Sequence, residues 1–160
     1  MIKNKELNIE NARIGFRNFA GKEGRFNAKG IRNFCVFLDD DIAIDLEREG
    51  WNMKWLNPRD DSDGRQAYLS VAVRYTNIPP KIFLVTSKGK TQLDEEAVMV
   101  LDYAEIVNVD LTISPSNWEV SGKTGIKAYA KVMYVTIAED AFESKYRNVP
   151  DSAMNSIVND

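Results

Sequence analysis

The stretch "AYLSVAVRY", residues 67–75, decides the fold. Leu69, Val71, Val73 and Tyr75 alternate with Tyr68, Ser70, Ala72 and Arg74, and a period of two gives one apolar face only on an extended strand. It predicts a half-buried strand. Further along, "KIFLVTS", "EIVNVDLTI" and "GIKAYAKVMYVTI" show the same β-branched enrichment, and "IPP", "SKGK" and "SGKTG" separate them with turn chemistry. The expected architecture is a small, mainly β, antiparallel domain. Two helical insertions interrupt it. "DDDIAIDLEREG" opens with acids suited to a helix N-terminus, spaces Ile42 and Leu46 by four and stops at Gly50. "LDEEAVMVLDYA" offers Asp94 as a cap, with Val98 and Leu101 on one side. "NPRDDSDGRQ", residues 57–66, reads as a polar loop. The strand pattern ends near Ala138, which suggests a domain over 1–146 and a weakly ordered tail over 147–160.

With 160 residues and 44% hydrophobic content, the chain suits one domain with a real core. No run approaches the roughly 18 to 20 apolar residues of a membrane span, and "MIKNKELNIENAR" lacks the apolar stretch of a secretory signal, so a cytoplasmic protein is expected. Cys35 stands alone within "FCVFL" and reads as a small buried thiol.

The net charge is -3, but residues 1–34 carry eight Lys/Arg against three Asp/Glu, whereas residues 35–160 carry 13 against 21. A basic segment on an acidic protein is the footprint of a local polyanion site. In "NARIGFRNF", alternation sets Ala12, Ile14 and Phe16 on one face, and Arg13, Gly15, Arg17 and Phe19 on the other. Guanidinium groups beside an aromatic ring suit single-stranded nucleic acid, because cations neutralise phosphates while a ring stacks on any base. The plain alternative is a solvated face. "GKEGRFNAKG" adds Lys22, Arg25, Phe26 and Lys29 in a segment bounded by glycines, expected to be a flexible hairpin arm, with Arg32 beyond it. In "SGKTGIKAYAKVMYV", Lys127, Tyr129 and Lys131 share a face opposite Ile126, Ala128 and Ala130, repeating the pairing of ring and cation. Trp118 and Lys123 lie just before it. The alternative is a tyrosine covering apolar surface between solubilising lysines.

Other chemistries fail on inventory. "GKT" occurs at residues 89–91 and 122–124, but Leu84 and Asn117 stand where a phosphate-binding loop requires glycine. Without histidine and with one cysteine, the chain can form neither a Ser-His-Asp or Cys-His site nor a usual zinc cluster, so most hydrolytic machinery is absent and no cofactor or metal site is expected. Asp39, Asp40 and Asp41 could hold Mg²⁺ for a nuclease, but read better as helix-start acids.

Taken in order, "FRNFAGKEGRFNAKGIRNFCVFLDD", "GWNMKWLNP", "AYLSVAVRY", "LVTSKGKTQLDEE" and "SNWEVSGKTGIKAYAKVMYVTI" resemble the OB-fold single-stranded DNA-binding proteins of tailed bacteriophages, over residues 11–146. The resemblance implies a five-stranded OB-fold-like barrel that coats single-stranded DNA in replication or recombination in the host cytoplasm, without catalysis. It is compatible with self-association and with replication or recombination proteins as partners. Combined with the residue patterns, it gives phosphate contacts to Arg13, Arg17, Arg32, Lys127 and Lys131, stacking to Phe19, Tyr129 and Trp118, and a closing arm to Lys22, Arg25, Phe26 and Lys29. Trp51 and Trp55 could serve core or site. The competing class is a structural or adaptor domain whose basic arm docks an acidic protein.

Overall fold

A computed structural model describes residues 5–57 and 64–139. The expected tail and the middle of the polar loop lie outside them. The chain is mainly β, as expected, in an open mixed sheet with strand path β1-β8-β9-β5-β3-β2. The strands are β1 (Leu7–Ile9), β2 (Arg13–Asn18), β3 (Arg32–Leu38), β4 (Met53–Leu56), β5 (Gln66–Val73), β6 (Lys81–Thr86), β7 (Gly89–Leu93), β8 (Ile106–Val120) and β9 (Lys123–Ile137). Strand β4 adds to β5, and the β6-β7 hairpin adds to β9. Among the described residues this is nine strands rather than five. The pairing is not purely antiparallel, because β9 runs parallel to both β5 and β6.

Strand β5 behaves as its alternation dictates. Ala67, Leu69, Val71 and Val73 are buried, while Ser70 and Arg74 are exposed. The inward rows of β3, β8 and β9 complete the core with Phe34, Val36, Val109, Leu111, Ile113, Met133 and Val135. Ser121 and Gly122, at φ of 50° and 80°, close the β8-β9 hairpin between Val120 and Lys123. Two successive positive φ values are the mark of a turn whose twist matches its strands.

The helix α1 (Asp40–Glu49) starts and stops where the acids and Gly50 predict. Gly50 takes φ of 108° and its N–H bonds the Glu47 carbonyl, a left-handed cap that a side chain would strain. The buried pair is Ala43 and Leu46 rather than Ile42 and Leu46, and Ile42 is exposed. The second predicted helix is a shorter 3₁₀ turn, Val98–Asp102, with Val98 and Leu101 fully buried as their spacing implied. Its N-cap is Ala97 rather than the expected Asp94, whose carboxylate accepts the Ala97 N–H at 2.8 Å in the turn just before it. Trp51 belongs to the core. Trp55 packs against the core's rim, donating to Glu47 at 3.0 Å beneath the Arg65 guanidinium, 4.0 Å from its ring centre.

The main departure lies in β2. Its register with β3 slips between Gly15 and Asn18, and Phe16 adopts φ of 48°. This bulge inserts a residue and reverses the alternation beyond it. Phe16, expected inside, is 62% exposed, whereas Phe19, expected outside, is fully buried and stacked on Phe34 at 5.2 Å. The N–H groups of Phe19 and Ala20 donate to the Asp102 carboxylate at 2.7 and 2.9 Å, which holds the turned strand end against the 3₁₀ segment.

Candidate nucleic-acid interface

Two of the predicted contacts are committed to the fold. Phe19 lies in the core, so no base can reach its face. The Arg17 guanidinium donates from Nη1 to the Leu101 and Ala104 carbonyls at 2.7 and 2.8 Å, which ties β2 to the 3₁₀ turn. Arg32 is intermediate: Nη1 pairs with Glu95 at 3.0 Å and Nε is buried without a partner.

The outward face of the sheet carries the rings instead. Phe37 pairs with Tyr68 across β3 and β5, and Tyr68 with Lys54 across β4. The exposed Phe16 ring meets Phe37 edge-on at 5.9 Å and Tyr68 at 6.0 Å, while Arg13 sits opposite Phe37. Arg13 is mostly exposed, with Asp39 3.9 Å away. Gly15 makes room for this trio, since a β-carbon there would come 2.6 Å from Phe37 Cε2. Cys35 lies beneath, in the row of Gly15 and Ser70, and burial pushes its thiol pKa up despite nearby Lys54 and the hydrogen bond with Ser70. Sequence reading passed over Phe16, Phe37 and Lys54. Tyr68 was on the correct face, and reading its period across to Phe37 on β3 was the available signal.

Further along the face lies a groove made by the topology of β9. Strand β5 pairs with β9 at Ala128 and Tyr129, and β6 takes over only at Val132. The sheet therefore parts beside Ala130 and Lys131, where the chain from Arg74 to Pro79 loops outward. Depressions of about 380 and 300 Å³ open there and share Arg74, Thr76 and Tyr129. Lys127 Nζ sits 5.3 Å from the Tyr129 ring centre, and Lys131, expelled by a bulge between Ala130 and Val132, bonds Glu6. Tyr129 thus stands between two hollows among cations, as "KAYAK" suggested. Arg74, which donates to Thr76 at 2.7 Å, is an additional cation.

The arm between β2 and β3 is fixed at its base and open at its tip. Asn27 donates to the carbonyls of Lys22, Ala28 and Ile31, and accepts from Asn33. Asn18 donates to the Lys22 carbonyl and accepts its N–H. These asparagines make a shaped hairpin of what the glycines suggested was a flexible arm. At its tip, Phe26 is 92% exposed, with the Arg25 guanidinium 5.3 Å from its ring centre. Lys29 is exposed. Lys22 donates to the Tyr103 hydroxyl, and this bond with the nearby phenol raises its pKa.

Trp118 and Lys123 lie apart, toward the β8-β9 hairpin end. The Trp118 ring covers Gly125, where a β-carbon would come within 2.5 Å of it, and Lys123 is exposed beside the turn. Among the described residues no group of three or more Asp, Glu, Cys or His converges as metal ligands, and no helix is long and apolar enough to cross a membrane. Asp39 and Asp40 face Arg13 and Arg65 respectively.

A family comparison spans the chain. Residues 1–159 match the family described as "Putative phage ssDNA-binding domain". The chain belongs to this family. Single-stranded DNA binding is the family's function, and the resemblance read from the sequence pointed to the same class. The fold is similar to the single-stranded DNA-binding protein from bacteriophage Enc34 in complex with ssDNA, at 10% identity and a TM-score of 0.53, covering 86% of this chain and 89% of that one. A C-terminal truncation of the Enc34 protein gives 10% identity and 0.52 over 84% and 87%. The single-stranded DNA-binding protein gp2.5 of bacteriophage T7 gives 9% and 0.39 over 91% and 94%. At such identities the likeness is one of fold. No curated protein matches the chain.

Proposed function

We propose that this phage ssDNA-binding domain holds DNA along the outward sheet face, from Phe16, Phe37 and Tyr68 to the Tyr129 groove, and does so with little regard to base sequence. The observation that carries the reading is Tyr129 flanked by two hollows that Arg74, Lys127 and Lys131 border. A ring between cations offers each base a π-face and each phosphate a counter-charge, and neither reads a hydrogen-bonding edge. Strand β5 connects the two ends, since its outward residues Tyr68, Ser70 and Ala72 lead from the trio to Ala72's partner Tyr129. The Arg25–Phe26 tip closes over the bound strand. The protein acts by binding alone, coating and protecting single-stranded DNA during phage replication or recombination in the host cytoplasm.

Titration of labelled single-stranded DNA, duplex DNA and RNA at several salt concentrations, with Mg²⁺ present, tests this. The expected result is uncleaved single-stranded DNA bound with similar affinity for unrelated sequences. Its log affinity should fall against log salt by about 0.7 for each phosphate contacted. Cleavage, salt-independent affinity or strong preference for one sequence would overturn it. Binding of an acidic protein with no affinity for DNA would favour the adaptor reading.

A further inference from the structure

Past the groove, the outward side of β9 carries a second ring-and-cation cluster. Tyr134 pairs with Phe83 of β6, and the two rings stack at 5.0 Å with an interplanar angle of 11°. Lys90 of β7 reaches over both, its Nζ 5.1 Å from the Phe83 ring centre and 5.6 Å from that of Tyr134. Tyr134 is exposed, Phe83 half-buried and Lys90 exposed. The core has no need of this pair, because Ile82, Met133 and Val135 on the opposite faces of the same strands fill the interior. Lys88, at the β6-β7 turn, and Lys81, at the start of β6, are also exposed. The facing acid from β8 is Asp110, whose carboxylate accepts the Asn11 N–H at 3.1 Å, with Glu10 lining the same hollow as Tyr134.

We infer that Phe83, Tyr134 and Lys90 form a second single-stranded DNA contact, reached when a strand leaving the Tyr129 groove continues along β9. This inference rests on the function proposed above. The bulge that expels Lys131 restores the outward phase, so Lys127, Tyr129, Val132 and Tyr134 follow one another on the same side of one strand. The β8 partners of the two tyrosines, Ser114 and Asp110, are four ladder positions apart, about 13 Å along the sheet. Each tyrosine carries its own lysine, so the chemistry of the first contact repeats at the second. A stacked pair presents a flat outer surface to a further base, and Lys90 serves an adjoining phosphate.

Oligonucleotide length separates this contact from the first. Lys90→Ala and Tyr134→Leu are titrated with labelled oligothymidines of about 6 and about 20 nucleotides, the first near the low end of the roughly 4 to 16 that one OB-type unit covers and the second above it. Both variants should bind the short oligomer as the parent does. Tyr134→Leu should bind the long one about 5-fold or more weakly, the loss of one stacked base. Lys90→Ala should lower the long oligomer's salt slope by about 0.7 and leave the short oligomer's unchanged. Lys90→Ala removes an exposed amine and leaves both rings in place, so it remains informative if Tyr134→Leu does not fold. Parent-like binding of the long oligomer by folded variants would overturn the inference and leave the groove reading intact, and equal losses on both lengths would overturn it too. A parent chain that binds neither oligomer would overturn the proposed function and this contact with it.

Discussion

Replacing Gly15 by alanine tests the outward aromatic face through a residue that carries no ring. A β-carbon at Gly15 falls 2.6 Å from Phe37 Cε2 and 2.9 Å from Cζ. Carbon atoms in contact sit about 3.5–4.0 Å apart, so the ring has to move by about 1 Å. Gly15 does not have a positive φ, so alanine fits the backbone and only the ring yields. The ring is half exposed and its clashing atoms are the far end of the side chain. The stability loss should therefore stay near the low end of overpacking costs, about 1 kcal/mol. Binding should suffer more, because a displaced platform forfeits up to the 1–3 kcal/mol that one stacked base is worth, roughly 5- to 150-fold in Kd. No charge is lost, so the salt slope should hold. Fluorescence anisotropy with a labelled oligothymidine, alongside thermal melts, reads both quantities. The double variant with Phe37→Ala completes the cycle: once the ring is gone the added methyl meets nothing, and Gly15→Ala should become silent. Parent-like binding by Gly15→Ala, or losses that simply add, would refute the placement of Phe37 in the site.

Arg17→Ala should destabilise the fold by about 1.5–3 kcal/mol, the worth of charged hydrogen bonds, while leaving the salt slope close to the parent's; a normal melt with a shallower slope would return Arg17 to the phosphates. Tyr129→Ala should weaken single-stranded binding by about 1–3 kcal/mol without changing the slope, and Lys127→Ala should lower the slope by about 0.7; titration at four salt concentrations distinguishes them. Tyr75 has a pKa raised from the ordinary 10.0 to about 12, chiefly by burial, and its hydroxyl donates to the Leu93 carbonyl at 3.3 Å. The unfolded chain releases this proton first, so the contribution of Tyr75 is constant below pH 10 and is lost as pH rises toward 12. Melts across that range should fall more steeply for the parent than for Tyr75→Phe, and identical alkaline slopes would show that Tyr75 is not responsible.

Much of the fold was legible because its signals are local. The period of two in residues 67–75, the turn residues at 121 and 122 and the acids and glycine around α1 each act within a few residues, and each element formed where they said. The Tyr129 pattern was legible for the same reason, since one strand sets the face its side chains share. The parallel pairings of β9 left no such trace. They depend on β5 and β6 meeting one strand from the same side, a relation between segments far apart in sequence. The groove between them was illegible on the same ground, and with it the place of Arg74 beside Tyr129.

The exchange of Phe16 for Phe19 has a sharper physical cause. A left-handed backbone costs an ordinary residue roughly 1–2 kcal/mol, so no local preference would set Phe16 at φ of 48°. What holds it there comes from residues more than 80 positions away: Asp102 accepts the N–H groups of Phe19 and Ala20, and the Leu101 and Ala104 carbonyls take the Arg17 guanidinium. Stacking of Phe19 on Phe34 adds to the same side of the balance. These contacts outweigh the strain and turn the strand over, and the residue that carries the strain is the one whose ring is pushed outward beside Phe37 and Tyr68. Strained backbone gathers where a surface is shaped for a ligand. The burial of Phe19 and the exposure of Phe16 are thus one event, in which the 3₁₀ segment sets which aromatic ring β2 offers to solvent.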